Sequence, residues 1–178
     1  KAGLKDAEVV YIAVGTPQSE DGSANLSYIY QAAKDIGQNI NRNVVVVTKS
    51  TVPLGTNFKV KEIVQENVNG NYEIQIASNP EFLREGSAVY DTFNGDRIVI
   101  GSETEEAAAI LEEINKPFEI PILKTSVTSA EMIKYASNAF LATKISFINE
   151  IASLSEKVGA DISEVTKGVG QDHRIGSQ

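Results

Sequence analysis

The stretch Val44-Val45-Val46-Val47-Thr48 decides the fold of this chain. Four consecutive β-branched residues without polar alternation predict a strand that is covered on both of its faces. An apolar run at 9–14 precedes this strand and a further predicted strand at 72–77 follows it, and the two segments between them have apolar residues at helical spacing. Strand, helix, strand, helix, strand with apolar strands predicts a parallel sheet with right-handed crossovers.

The rest of the first two thirds continues the same alternation. Asn25 is expected to cap the first of the two helices. Residues 97–101 predict a further strand, and residues 119–124 predict one more that is interrupted at Pro121. A proline removes a backbone donor, so the last of these strands is expected at an edge of the sheet.

Two capping-box patterns mark the starts of later helices. Ser102-Glu103-Thr104-Glu105 predicts the start of a helix that continues through Ile114. Thr128 with Glu131 three residues on predicts a second start, and neither glycine nor proline follows until Gly159. The second pattern therefore predicts a helix of about 30 residues, roughly 45 Å long.

The composition changes just before this long helix. Asp161 with Glu164 is expected to cap a shorter helix that ends near Gly168. The chain is therefore expected to divide into an α/β domain over residues 1–126 and a helical domain over residues 127–178.

Composition and charge exclude several classes of function. The 178 residues are 42% hydrophobic, with a net charge of -8 and an isoelectric point near 4.7. Binding to nucleic acid or to an anionic membrane surface needs a basic face, so neither is expected. The absence of cysteine excludes disulfides, thiolate metal sites and a thiol nucleophile within this sequence, and no metal site is expected. No apolar run approaches a membrane span, and we expect a soluble, cytoplasmic protein.

Three predicted strands end in unusual residues. These are Gly15-Thr16-Pro17, Ser50-Thr51-Val52-Pro53 and Asn79-Pro80-Glu81. Each alone is compatible with an ordinary strand-to-helix turn. Ligands of open parallel sheets bind at the carboxyl ends of the strands, so the three together favour a ligand site. The segments are similar to the second half of a dinucleotide-binding fold, whose Gly-rich first turn is not in this sequence.

The segment from Asn79 to Gly86 holds two carboxylates, Glu81 and Glu85, directly after a predicted strand. One interpretation is a turn followed by a solvated acidic helix start. The other is a pair of acids aimed at a ligand, because functional side chains gather on loops that a rigid scaffold positions.

Lys134 and Asn138 lie four residues apart in the long predicted helix and share one of its faces. A lysine among apolar neighbours often extends its ammonium to water. The alternative is a partly buried ammonium beside an amide, which together could hold an oxyanion or an alkoxide.

The segment from Gly168 to Gly176 is punctuated by glycine and contains one guanidinium, that of Arg174. It is compatible with a helix stop and a turn. It is also compatible with an arginine that a flexible loop presents to an anion or a sugar hydroxyl.

Five ordered segments closely resemble the UDP-glucose dehydrogenase family, one of the nucleotide-sugar dehydrogenases. The segments are residues 50–53, residues 79–88 with Asp91, residues 96–101, residues 134–150 and residues 168–176. The resemblance implies an NAD-dependent enzyme that oxidises the C6 alcohol of UDP-glucose to the carboxylate of UDP-glucuronate. In this family two NAD are consumed and the sugar passes through a cysteine thioester.

The resemblance also implies the fold class and a partner. The chain is expected to be α/β, with the second half of a Rossmann-like parallel sheet followed by the long helix of an all-helical dimerisation domain. That helix is expected to form a homodimer.

The resemblance assigns a role to each matching residue. It makes Glu81 the acid-base residue of thioester hydrolysis, with Thr51 placing the water, and Lys134 and Asn138 the groups that stabilise charge on the substrate oxygen. The residues expected to contact the UDP-sugar are Phe82, Leu83, Arg84, Glu85, Lys134, Asn138 and, across the dimer interface, Arg174. The residues expected to contact NAD are Val14, Gly15, Thr16, Pro17, Ser50, Thr51 and Glu85.

Two features of the family are not in this sequence. The catalytic cysteine is expected beyond Arg174 and the Gly-rich cofactor turn before Lys1, so we expect the chain to be the middle of an enzyme and inactive alone. GDP-mannose and UDP-N-acetylmannosamine dehydrogenases share the same scheme and remain alternatives. A non-catalytic dimerisation module is a third.

Overall fold

The computed structural model describes residues 2–176 and divides into two compact units. The first, Lys1–Tyr135, contains a sheet with its covering helices, and the second, Ala136–Gln178, is helical. None of the helices within residues 2–176 combines the length with the hydropathy that a bilayer span requires.

The first unit is built on one five-stranded sheet whose strands lie side by side in chain order. The strands are β1 (Val9–Ile12), β2 (Val44–Thr48), β3 (Ile74–Ser78), β4 (Ile98–Ser102) and β5 (Ile122–Thr125). β1, β2 and β3 are mutually parallel, and β4 and β5 are parallel to each other. The α/β fold class with a mostly parallel sheet is therefore confirmed.

The helices of residues 2–176 occupy the connections between the strands and the last third of the chain. They are α1 (Ser27–Asn39), α2 (Thr56–Asn67), α3 (Ala88–Phe93), α4 (Glu105–Asn115), α5 (Val127–Val158) and α6 (Ile162–Gly170), with short 3-10 helices at Ala2–Leu4 and Lys116–Phe118. The short helix α3 was not expected from the sequence.

Strand β2 lies in the centre of the hydrophobic core, and all five of its residues are buried. Val44 and Val46 pack on one face with residues of α1 and α2, whereas Val45 and Val47 pack on the other face with residues of α4. Because alternate side chains of a strand point to opposite faces, a strand with helices on both sides must be apolar throughout. The run of β-branched residues meets this requirement.

Strand β4 departs from the purely parallel arrangement that the sequence predicted. It runs antiparallel to β3, with Ala77 opposite Ser102 and Ser78 opposite Gly101. A parallel crossover must carry the chain back along the sheet, usually with a helix. The connection here contains only the six-residue helix α3, so the chain re-enters the sheet at the edge where β3 ends.

Two predicted helix caps are displaced by one or two residues. Helix α4 is capped by Thr104, whose Oγ1 accepts a hydrogen bond from the Ala107 amide at 3.1 Å. Ser102 cannot serve, because β4 extends through it. Helix α1 begins at Ser27, and Asn25 accepts the Ser27 amide at 3.0 Å in the turn before the helix.

The predicted helices of the last third are confirmed. Helix α5 has 32 residues, and the Asp161 carboxylate caps α6 by accepting the Ser163 amide at 2.7 Å. The predicted loop at 168–176 is shorter than expected, because its first three residues continue α6.

Gly101 allows β4 to pack directly against the start of α5. A Cβ at this position would lie 2.5 Å from the Ala130 Cβ and 2.7 Å from the Ser126 carbonyl oxygen. We expect Gly101→Ala to lower the free energy of unfolding by about 1–3 kcal/mol, since backbone must move. Urea denaturation of the purified chain measures this change.

The matched control is Gly168→Ala in α6, where a Cβ would meet nothing within 4 Å. This change should stabilise the chain slightly, by about 0.5–1 kcal/mol, since glycine is a poor helix former. A Gly101→Ala chain as stable as the parent would contradict the close packing of β4 on α5.

Candidate active site

The ends of β1 and β2 are tied together at the carboxyl edge of the sheet. The Ser50 hydroxyl donates to the Val14 carbonyl at 2.6 Å, and the Thr16 hydroxyl donates to the Thr51 carbonyl at 3.1 Å. The first two strand-end segments singled out in the sequence therefore meet, as the parallel arrangement requires.

Asn79 fixes the third strand end. It is 1% exposed, its amide donates to the Thr48 carbonyl at 3.0 Å, and its side-chain Nδ2 donates to the Val99 carbonyl at 2.8 Å. Its Oδ1 accepts a hydrogen bond from the Lys49 ammonium at 3.3 Å. Three hydrogen bonds, to the end of β2 and to β4, thus hold the turn from which Glu81 projects.

Lys134 reaches this turn from the second turn of α5. Its ammonium donates to the Glu81 carboxylate Oε1 at 3.0 Å and also to the Glu81 main-chain carbonyl. The Leu83 amide donates to the second carboxylate oxygen, Oε2, at 2.6 Å. The Lys134 side chain is only 7% exposed and that of Glu81 is 32% exposed. Lys134 is therefore a buried ion-pair partner and does not extend to water.

The surroundings of Glu81 favour its charged form. Burial raises the pKa of the Glu81 carboxyl, but the Leu83 hydrogen bond, the Lys134 ammonium and the charge of Lys49 together outweigh burial, and the pKa lies below its ordinary value. Burial lowers the pKa of the Lys49 ammonium, an effect that Glu81 opposes and Lys134 reinforces. Glu81 is thus a carboxylate at neutral pH and can accept a proton.

The Phe82 ring lies next to two cations. The Arg97 guanidinium carbon is 4.0 Å from the ring centroid and the Lys134 nitrogen is 5.2 Å from it. A cation over the face of an aromatic ring is attracted to it, so both contacts stabilise the packing of Phe82. Leu83 and Glu85, further along the same segment, are exposed at the surface of the first unit.

Arg84 is bound to Asp91 within its own segment. Its Nε and Nη2 donate to the two Asp91 oxygens at 3.0 and 2.6 Å, and its backbone amide donates at 2.8 Å. The hydrogen bonds and charge of Arg84 lower the pKa of Asp91 to about 2. The sequence alone assigned no role to Asp91. The feature of the sequence that could have indicated the pair is an arginine and an aspartate seven residues apart.

Glu131 has a role that the sequence did not reveal. It does not pair with Thr128 in a capping box; Ser126 caps α5 by accepting the amide three residues on, at 3.2 Å. The Glu131 carboxylate instead accepts the Gly55 amide at 2.8 Å, the Asn57 amide at 3.1 Å and the Asn57 side-chain amide at 2.7 Å. These partners lie more than 70 residues away in the chain, so no local pattern indicates them.

Asn138 and Arg174 belong to the second unit. Asn138 is exposed on α5, one helical turn beyond Lys134. The Arg174 guanidinium is paired with the Asp172 carboxylate at 2.6 and 3.0 Å, in the turn after α6. That pairing raises the pKa of Arg174, and the same hydrogen bonds lower the pKa of Asp172.

A polar cleft of about 490 Å³ lies at the opposite edge of the sheet, where β2 and β3 begin. It is lined by Asn43, Tyr72 and the ion pair of Lys61 with Glu103, among others. None of the residues predicted to bind substrate or cofactor lines it, so this cleft is separate from the candidate site.

The carboxyl edge of the sheet has open space and hydroxyl groups that suit a dinucleotide. A Cβ built on Gly15 would meet nothing within 4 Å, so open space adjoins the end of β1. The hydroxyls of Thr16, Ser50 and Thr51 stand at the same edge, and two of them fix the backbone there.

Comparison with protein families agrees with this geometry. Residues 1–119 match the NAD binding domain of the UDP-glucose/GDP-mannose dehydrogenase family, and residues 128–178 match its central domain. The chain belongs to this family. The resemblance found in the sequence is confirmed, as is NAD as the cofactor of the matched domain.

Individual relatives agree with the family match. The chain is 62% identical to UDP-glucose 6-dehydrogenase YwqF of Bacillus subtilis over 176 residues, covering 99% of this chain and 40% of that protein. It is 57% identical to UDP-glucose 6-dehydrogenase TuaD of the same organism, covering 98% of this chain and 38% of that protein. The chain thus spans about 40% of the length of these relatives.

Solved structures give the same result. A UDP-glucose dehydrogenase from Pyrobaculum islandicum superposes with a TM-score of 0.95 at 45% identity, covering 99% of this chain and 42% of that one. A GDP-mannose dehydrogenase from Pseudomonas aeruginosa superposes with a TM-score of 0.91 at 35% identity, covering 97% and 41%.

The Arg84–Asp91 pair predicts a defined pH dependence. A carboxyl with a folded pKa of about 2 and an unfolded pKa near 3.9 contributes stability above pH 4 that is lost as the pH falls towards 2. In Arg84→Gln the pKa of Asp91 should rise towards 3.9, and this acid-dependent loss should shrink. Carbon-13 NMR titration of the carboxyl and urea denaturation between about pH 2.5 and pH 5 measure the two effects.

The control is Arg42→Gln, which removes the partner of Glu8 instead. It should leave the titration of Asp91 unchanged. An Asp91 pKa that stays near 2 in Arg84→Gln would contradict the pairing.

Proposed function

We propose that this chain is the central part of an NAD-dependent UDP-glucose 6-dehydrogenase, which oxidises UDP-glucose to UDP-glucuronate in two hydride-transfer steps through a cysteine thioester. The observation that carries the proposal is the buried Lys134–Glu81 pair at the carboxyl edge of the sheet. The 62% identity to a UDP-glucose 6-dehydrogenase supports the choice of substrate.

Lys134 and Asn138 act on the oxygen of the sugar carbon that is oxidised. A buried ammonium interacts strongly with developing negative charge, because little water is present to screen it. Lys134 is 5% exposed, and its ammonium is already held in place by Glu81. Asn138 adds an amide donor four residues along the same helix.

Glu81 is the base of thioester hydrolysis. It takes a proton from the water that attacks the thioester carbonyl, and the cysteine sulfur leaves as the sugar carboxylate forms. Thr51 places this water. The Leu83 hydrogen bond and the Lys134 ammonium keep Glu81 deprotonated, so it is able to accept this proton at working pH. The cysteine belongs to the longer enzyme, because this chain contains none.

The strand ends hold the cofactor. Val14, Gly15, Thr16, Pro17, Ser50, Thr51 and Glu85 contact NAD, which when bound accepts the hydride. The hydrogen bonds of Ser50 and Thr16 keep the two strand ends in register, so that the residues facing the cofactor keep a fixed arrangement.

The segment 82–85 contacts the UDP-sugar, and Arg174 reaches it across the dimer interface. Phe82 is held by its cation contacts, and Leu83 and Glu85 are exposed. Two guanidinium nitrogens of Arg84 donate to the Asp91 carboxylate, so Arg84 helps to fix the backbone conformation of this segment.

The alternative substrates are GDP-mannose and UDP-N-acetylmannosamine. A GDP-mannose dehydrogenase is 35% identical to this chain and a UDP-D-ManNAc dehydrogenase from Pyrococcus horikoshii is 27% identical. Both values lie below the identity to the UDP-glucose 6-dehydrogenases. Turnover of each sugar nucleotide by the longer enzyme separates these substrates, and turnover of none would favour a non-catalytic module.

Glu81→Gln in the longer enzyme should slow hydrolysis far more than it weakens substrate binding. Losing a general base typically costs about 10²- to 10⁴-fold in rate. The covalent cysteine adduct should then accumulate and be visible by intact-protein mass spectrometry, while NADH release falls. Lys134→Met should instead slow the first oxidation, before any adduct forms.

Two controls accompany this experiment. Glu62→Gln changes an exposed carboxylate on α2 and should turn over normally. The 178-residue chain alone should release no NADH from UDP-glucose and NAD, since it contains neither the Gly-rich cofactor turn nor the cysteine. Normal turnover by Glu81→Gln without a trapped adduct would overturn the role of Glu81.

We also propose that the chain forms a homodimer through α5. The supporting observation is a set of large apolar side chains on this helix that are each more than half exposed: Phe140, Leu141, Ile145, Phe147, Leu154 and Val158. Such a surface exceeds what one core-facing stripe requires and is unusual for a monomer.

Sedimentation velocity at micromolar concentration should report a dimer of the chain. The double variant Phe140→Ser with Phe147→Ser should be monomeric, since both rings are at least 60% exposed and their loss leaves the subunit core intact. The matched control is Val89→Ser, an apolar residue of the first unit that is 77% exposed, which should remain dimeric. A monomeric parent chain would refute the homodimer.

A further inference from the structure

Glu131 is a buried carboxylate that the proposed reaction does not use. It is 2% exposed and accepts three hydrogen bonds, from the Gly55 amide, the Asn57 amide and the Asn57 side chain, at 2.8, 3.1 and 2.7 Å. Burying a carboxylate is costly unless donors of this kind surround it. Three hydrogen-bond donors of the fold therefore bind a single side chain of α5.

Helix α2 has no cap of its own. Its N-cap is Gly55, which has no side chain and a left-handed φ of 85°. The first amides of a helix need acceptors, and the helix dipole favours a negative charge beside them. Glu131 supplies that charge, so the N-terminus of α2 is filled by this protein's own carboxylate.

Glu131 and Lys134 lie three residues apart and so on neighbouring positions of one helix face. The carboxylate binds the first turn of α2, which follows the segment Ser50–Pro53. The ammonium binds Glu81, on the turn after β3. One turn of α5 therefore anchors, with opposite charges, the segments that follow two adjacent strands.

We propose that Glu131 is a positioning residue, which fixes the segment 50–53 and the start of α2 relative to Lys134. The proposal rests on the proposed function, since it assigns that segment to the cofactor and Lys134 to the substrate oxygen. Without the Glu131 carboxylate, the segment 50–53 and the Lys134 ammonium would both still be present, but the distance between them would vary.

The test is Glu131→Gln in the longer enzyme, with Glu66→Gln as the control. The control removes an exposed carboxylate from α2 by the same chemical change. The glutamine side chain has one acceptor oxygen where glutamate has two. Its NH2 group, which is a donor, would therefore face a backbone N–H, which is also a donor. At saturating UDP-glucose and NAD, kcat should fall about 10- to 100-fold, as a small misplacement of reacting groups does.

The affinity of Glu131→Gln for UDP-glucose should change by less than about threefold, because the Lys134–Glu81 pair remains. Glu66→Gln should match the parent in both measurements. A Glu131→Gln enzyme with normal kcat for each folded molecule would overturn the proposal, even if its melting temperature fell.

A second measurement does not depend on activity. In the cofactor-free enzyme, hydrogen exchange of the amides at residues 55–57 should be at least about tenfold faster in Glu131→Gln than in the parent or in Glu66→Gln. Unchanged exchange would overturn the anchoring role. If the parent enzyme does not turn over UDP-glucose, the proposed function fails, while faster exchange would still establish the anchor.

Asn57→Ala provides a milder variant in case Glu131→Gln does not fold. It removes one of the three hydrogen bonds and also the Asn57 Oδ1 atom, which has no partner among the described residues. The loss of kcat and the faster exchange should have the same direction and a smaller size. An Asn57→Ala enzyme identical to the parent in both would overturn the proposal.

Discussion

The ion pair between Lys134 and Glu81 is the contact on which the site depends. A buried ammonium is tolerated only when it is paired and hydrogen-bonded, and breaking such a pair by removing one partner typically costs about 3–5 kcal/mol. Lys134 meets this requirement with both the carboxylate and the carbonyl of Glu81. The start of α5 is therefore fixed against the turn after β3, and Asn79 fixes that turn to the sheet.

Charges of both signs surround this pair. The charges of Lys49 and Lys134 both act on the Glu81 carboxylate, and Glu131 adds a second carboxylate one turn before Lys134. Each buried charge is matched by donors or acceptors, which limits the cost of removing it from water. Glu81 alone of the pair keeps substantial exposure, 32% of its side chain against 7% for Lys134. A buried ammonium next to a partly exposed carboxylate suits a reaction that needs a fixed positive charge and a group that accepts a proton.

Much of the fold follows from short patterns. The valine run of β2 required cover on both faces, and α1, α2 and α4 provide it. The absence of glycine and proline in α5 predicted its length. Patterns failed where the partner was distant: Glu131 looked like the local partner of Thr128 but caps a helix 76 residues earlier in the chain. The antiparallel direction of β4 was not predicted for a similar reason. The local sequence does not indicate at which edge of the sheet the chain re-enters it.

The sequence by itself determined the five strands and every α-helix except α3, together with the family and the residues that gather at the carboxyl ends of the strands. These follow from β-branched runs, helical spacing and turn residues, which act over a few positions. Only the tertiary structure decided which charges meet. Lys134 could have extended to water, and Arg84 could have remained unpaired; the fold instead buries the first on Glu81 and pairs the second with Asp91. Charge pairing across the fold depends on which elements lie side by side, and packing of the whole sheet sets that.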